Sequence, residues 1–206
     1  MSNNDKPYRQ IRGLQLAETI RVYQAYSNSI AEAAVEAQTF VAPFKTSRMT
    51  WIKPSFLWMM YRSNWGTSSG QERVLAIDIA KSGLLWALEH SCLSHFDASC
   101  HESQSTWEIQ LKESCVRIQW DPERDFMLER LPFRSIQIGL MGEAVERYVH
   151  EWIKRIDDQT DTIAKIRHAS GDEQQRLIGS ITERETPFAF EPMIARKIGA
   201  TESAGQ

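Results

Sequence analysis

Residues 48–65 hold the densest chemistry of the chain. Trp51, Trp58, Trp65 and Tyr61 are interleaved there with Arg48, Lys53 and Arg62. A flat aromatic face beside a fixed cation can stack a nucleobase or a nicotinamide ring while the cation pairs with phosphate. The same residues also read as a buried helix whose cations lay their stems along apolar surface and keep their charged ends in water. Core packing alone calls for fewer amphipathic Trp and Tyr side chains than this stretch carries, so both readings stand.

His90, Cys92, His95, Cys100 and His101 form a second cluster. Thiol and imidazole groups that close in sequence can hold zinc, yet the spacing matches none of the paired arrangements that zinc sites use. A helix end followed by a polar loop accounts for it equally, with Cys92 packing as a small apolar residue, and no metal is expected. The chain has no Gly-x-Gly-x-x-Gly, no Walker A loop and no Gly-x-Ser-x-Gly elbow, which removes the support those motifs give to the common nucleotide folds and to α/β-hydrolases. Glu143 and Glu146 open a predicted helix, where the dipole favours negative charge.

The elements that must position these groups follow from periodicity. Val22, Gln24 and Tyr26 alternate with Tyr23 and Ala25 as in a strand, and an Ala-rich helix follows over about 30–38. Met49–Lys53 reads as a second strand, Pro54 and Ser55 as the start of a helix over 56–62 that is apolar nearly all round, and Arg73–Ile79 as a third strand. A helix over 83–93, a polar surface excursion over 94–105 and a hairpin turning at Asp121-Pro122-Glu123-Arg124 come next. Ile136, Ile138 and Leu140 mark a further strand. Val145, Tyr148, Val149, Trp152, Ile153 and Ile156 recur at helical spacing, the clearest amphipathic pattern in the chain. One or two short helices and an extended or disordered tail, 183–206, complete the reading. The predicted class is α+β, a mixed, largely antiparallel sheet with packed helices, in a single domain over 1–160 with a C-terminal helical extension and tail over 161–206.

The 206 residues are 42% hydrophobic and include seven Trp, enough to bury a core without disulfides. Lys and Arg number 24 against 27 Asp and Glu, so no global positive field holds a polyanion, and nucleic acid would need a local basic patch. Three cysteines, the absence of an apolar leader and the absence of a long apolar run predict a reducing, cytoplasmic setting with no membrane span.

Val22–Tyr26 (VYQAY), the run from Met49 to Ser63 and Arg134–Leu140 (RSIQIGL) together resemble a widespread family of domains of unknown function, numbered 4291, over about residues 9–156. A more distant resemblance is to the ADP-ribosyltransferase fold. There a first strand carries a polar residue after an aromatic, a second an aromatic followed by Tyr, and a late strand a Glu. Gln24 after Tyr23, Trp51 with Tyr61, and Gln137 fall in that order. The resemblance implies NAD as cofactor, Gln24 and Gln137 at the catalytic positions, and Tyr23, Arg48, Trp51, Lys53, Tyr61 and Arg62 around the cofactor. Trp51 and Tyr61 would stack on nicotinamide, and Arg48 or Arg62 would meet the pyrophosphate. The acceptor, a protein or a nucleic acid, stays open. Gln137 departs from that pattern, because a neutral amide cannot balance an oxocarbenium-like charge as a carboxylate does. A nucleic-acid-binding module using Arg48, Lys53, Arg62 and Arg73, and a noncatalytic protein-interaction domain, are the alternatives.

Overall fold

The computed structural model describes residues 6–201; residues 1–5 and the end of the tail, 202–206, lie outside them. The fold is α+β. Three strands, β2 (Thr19–Tyr26), β4 (Arg73–Ala80) and β8 (Ile153–Asp158), form an antiparallel sheet in the order β2-β4-β8. Four more, β3 (Thr50–Ile52), β5 (Ser91–Leu93), β6 (Val116–Arg124) and β7 (Arg130–Leu140), form a mixed sheet in the order β3-β7-β6-β5, in which β5 and β6 run parallel. The sheets meet at β2 and β3, where the Tyr23 amide donates to the Lys53 carbonyl at 2.7 Å. A short ribbon, β1 (Arg12–Leu14) with β9 (Glu185–Pro187), ties the start of the chain to its end.

Alternation along β2 and β4 serves two cores. Ile20, Val22, Leu75, Ile77 and Ile79 enter the main core with Ile138 and Leu140 of β7, while Tyr23, Val74 and Ala76 point to the opposite face. On that face lie α2 (Phe56–Ser63), α6 (Thr160–His168) and α7 (Gly171–Thr182), which contribute Phe56, Met59, Met60, Ile163, Ile166 and Ile178. Burial on both sides explains why α2 is apolar nearly all round. The register of β2 against β4 is held by Arg21, whose guanidinium makes two bonds to Asp78 at 2.8 and 2.9 Å.

The main core is closed by α1 (Asn28–Ala37), α3 (Lys81–Glu89), α5 (Glu143–Arg147) and α8 (Pro192–Ile198); α4 (Gln104–Glu113) has no buried residue. Four expectations are corrected. The helical pattern beginning at Val145 leaves the α-form after Arg147, passes through a π-helical turn, Tyr148–Trp152, and continues as β8, because Ile153 and Ile156 complete the free edge of β4. The helix over 83–93 stops at Glu89, and Ser91–Leu93 pair with β6. The hairpin turns at 125–129 rather than at Asp121: β6 runs through Pro122 with an irregular register, and Asp125 Oδ1 accepts from the amides of Met127 and Glu129. The tail is folded as β9 and α8, with Phe188, Phe190, Ile194 and Ile198 buried in the main core.

Candidate functional site

The junction of the two sheets opens into a cleft of about 440 Å³. β2 supplies Gln24 and Tyr26, β3 and the residues flanking it supply Met49, Thr50, Trp51 and Lys53, α2 supplies Arg62, and the hairpin supplies Gln119 and Gln137, with Gln71 at the edge. Five residues proposed from sequence, Gln24, Trp51, Lys53, Arg62 and Gln137, thus line one hollow. Three others do not. Tyr23 faces the second core against Phe56, with ring centroids 5.6 Å apart. Arg48 is exposed outside the cleft. Tyr61 lies 40% exposed beside Trp58, and the Arg124 guanidinium stands 3.4 Å from its ring centre.

Gln24 is 3% exposed and both ends of its amide are hydrogen-bonded. Its Nε2 donates to the Thr50 hydroxyl at 2.6 Å, the Tyr26 hydroxyl at 2.8 Å and, at 3.3 Å, the Trp51 carbonyl; its Oε1 accepts from the fully buried Tyr148 hydroxyl at 2.7 Å. The amide therefore joins β2 to β3 and to the π-helical turn, and fixes the strand that carries Trp51. Burial pushes the Tyr26 phenol up to about 12, so it enters this network as a neutral hydroxyl.

Lys53 is the opposite case. It is 5% exposed, yet among the described residues no carboxylate lies within 4 Å of it, and its ammonium reaches the Trp51 carbonyl at 3.3 Å. Burial, reinforced by the positive charge of Arg62, lowers its pKa to about 8, while Asp121 pulls the other way. Asp121 is the nearby acid that sequence reading spent on a turn. Its Oδ1 accepts from Gln119 at 3.0 Å and its Oδ2 from Gln137 at 2.7 Å, so the two amides hold one carboxylate on the β6–β7 face. Gln119 and Gln137 are direct register partners, a relation that hairpin alignment reveals and single-strand periodicity does not.

Trp51 is positioned by an absence. It is the register partner of Gly139, and a Cβ there would stand 3.0 Å from the indole and 2.8 Å from the Met49 sulfur. The bare glycine lets the ring lie across β7, which explains the Gly that follows Ile138. A family model described as Domain of unknown function (DUF4291) matches residues 10–188 of this chain. The chain belongs to this family. All the cleft residues of the DUF4291 chain fall within the matched segment. No curated protein matches it.

The His/Cys cluster of the DUF4291 chain lies apart, around a separate cavity that Cys92, Cys100 and His101 line. Cys92 and His101 approach each other, Sγ to Nε2 at 4.0 Å, while His101 Nδ1 is 3.1 Å from the Asp97 carbonyl. Among the described residues no group of three or more His, Cys, Asp or Glu side chains is placed to hold a metal ion, and no helix is long and apolar enough to cross a membrane.

Proposed function

We propose that the cleft between β2 and β3 binds NAD or a related nucleotide and that this DUF4291 chain is an ADP-ribosyltransferase-like protein. The observation that carries the reading is Lys53, a buried cation with no carboxylate within 4 Å among the described residues, beside a second cation, Arg62, in a cleft otherwise lined by neutral side chains. Burying an unpaired charge is costly, and a phosphate group is the ligand feature that offsets it. Trp51 offers a flat face to a base or nicotinamide, and the amides of Gln71, Gln119 and Gln137 match the donors and acceptors of a carboxamide and a ribose. A cleft of this volume takes one half of a dinucleotide and leaves the other half outside.

NAD, when bound, supplies a glycosidic bond whose cleavage leaves positive charge on the ribose. Asp121 lines the adjoining cavity rather than the cleft itself; bonded to Gln119 and Gln137 of the cleft wall, it is the carboxylate we assign to that charge, and Gln137 then acts as a positioning residue rather than as the acid itself. Gln24 has both N–H bonds engaged by Thr50 and Tyr26 and serves the site by anchoring β3. Calorimetry with NAD, together with transfer of label from NAD to added protein or nucleic acid, tests the proposal. Binding should fall about tenfold or more in Lys53→Met, and label transfer should disappear in Asp121→Asn. No heat with NAD overturns the binding assignment; binding without transfer to any acceptor overturns the enzymatic one.

A further inference from the structure

A second cavity, of about 610 Å³, lies elsewhere, among the N-terminal segment, the start of α2, the outer end of the β6–β7 hairpin and α7. Lys6, Arg12, Arg124 and Arg176 line it, as do Glu123, Asp125, Glu183 and Glu185. Opposite charges so close would ordinarily pair, yet among the described residues none of the four cations has a carboxylate oxygen within 4 Å. Two of the acids are held by neutral donors instead. Glu123 Oε1 accepts from the Ser55 hydroxyl at 2.9 Å and the Arg124 amide at 2.8 Å; Glu185 Oε1 accepts from the Phe56 amide at 2.8 Å, at the N-terminus of α2.

The cations are left short of partners. Arg12 donates to the Gln10 side chain and to the Glu185 backbone carbonyl, which are both neutral. Arg124 is 7% exposed, donates one bond to the Leu128 carbonyl, lies on the Tyr61 ring and has a buried Nε with no partner. Guanidinium and ammonium groups that share a cavity with carboxylates yet make no direct ion pair with them can receive an anion, and a phosphate offers several oxygens to meet them. The carboxyl pair gives the cavity a second character. Burial raises both groups, and at Glu185 the charge of Glu123 adds to it and brings the group to about 8, so near neutrality the Glu185 carboxyl can donate a hydrogen bond. That donor matches a hydroxyl group, and the cavity has room for several carbon atoms beyond a phosphate.

From this arrangement we infer that the cavity is a second binding site, separate from the Lys53 cleft, for a phosphate monoester carried on a small hydroxyl-bearing molecule such as a sugar phosphate. Calorimetry on the full chain with ribose 5-phosphate, inorganic phosphate and ribose as the three probes tests it. Ribose 5-phosphate should bind about tenfold or more tightly than either component alone. Arg12→Gln and Lys6→Gln should each weaken it by about tenfold, and Glu185→Ala should reduce the preference over inorganic phosphate while Lys53→Met leaves binding unchanged. Should Arg12→Gln fail to fold, Lys6→Gln carries the test, since the Lys6 ammonium rests over the Phe133 ring, 4.9 Å from its centre, and makes no ion pair among the described residues. Absence of binding overturns the inference, as does equal affinity for inorganic phosphate and ribose 5-phosphate. Loss of binding in Lys53→Met, with retention in Lys6→Gln and Arg12→Gln, transfers the ligand to the cleft and equally overturns it.

Discussion

At the scale of single residues, Gln24 and Lys53 differ in what their burial accomplishes. Gln24 is buried with both ends of its amide bonded, so its loss strands other groups: in Gln24→Leu the Tyr148 hydroxyl keeps no acceptor and the Thr50 hydroxyl loses a donor. We expect urea denaturation to show a loss of about 1–3 kcal/mol. Tyr148→Phe should cost a comparable amount, and the double variant less than the sum, because each change orphans the partner that the other removes. Additive costs would mean that the 2.7 Å bond does not couple the π-helical turn to β2. Lys53 is buried without a counter-charge, so Lys53→Met removes a desolvation penalty and should leave the melting temperature unchanged or raise it. A clear drop would identify the ammonium as a structural prop.

At the scale of elements, the contact between α3 and the π-helical turn sets the shape of the main core. Gly83 packs against the indole of Trp152, and a Cβ at Gly83 would stand 2.3 Å from the indole Cγ. Alanine favours a helix over glycine by about 1 kcal/mol, while overpacking a rigid ring costs about 1–3 kcal/mol. Gly83→Ala should therefore destabilise on balance, and Trp152→Leu in the same chain should recover part of the loss; a stabilised Gly83→Ala would show that the turn yields. This neighbourhood also marks where sequence reading stops. β2, α1, β3, α2 and β4 were legible because each carries an unmixed period between clear breakers. The stretch after Val145 was not, since its apolar residues fit a helix until Trp152 and then serve a strand whose partner, β4, lies 70 or more residues earlier. The cleft was half legible for a related reason. The aromatic and basic types of residues 48–65 announce it, but which of them face it depends on alternation at β3 and on the turn of α2. Tyr61, one residue before Arg62 on that helix, points away to Trp58 and Arg124. Asp121 and Gln119 needed the pairing of β6 with β7.

At the scale of the whole molecule, both ends of the chain close on the same body. Ending the chain at Glu183 removes β9 and α8 and withdraws Phe188, Phe190, Ile194 and Ile198 from the main core. At about 1.5–3 kcal/mol for each buried side chain the loss rivals the whole stability of a typical domain, so circular dichroism on the truncated chain should show no cooperative melting. β9 also carries Glu185, and through it the two cavities enter the pH dependence of folding with opposite signs. Burial, then the charge of Glu123, raises Glu185 from 4.5 to about 8, so the folded state holds the proton that the unfolded state releases. Its contribution is complete below about pH 4.5 and declines as pH rises through 8. Lys53 is lowered from 10.5 to about 8, so the folded state binds fewer protons than the unfolded one across that interval, and stability gains from this group as pH climbs through it. Urea midpoints between about pH 5 and 10 should separate the two by difference. Subtracting the Glu185→Gln profile from that of the parent chain should leave a slope confined to the acidic side of 8, and subtracting the Lys53→Met profile one of opposite sign confined to the alkaline side. Tyr23, Tyr26 and Tyr148, all raised by burial, act above that range, and Asp97, held at about 2 by Ser99 and Arg9, acts below it. Difference profiles that are flat, or that share one sign, would mean that the two buried groups titrate in the folded protein as they do in the unfolded chain, and would remove the electrostatic basis for a ligand at either cavity.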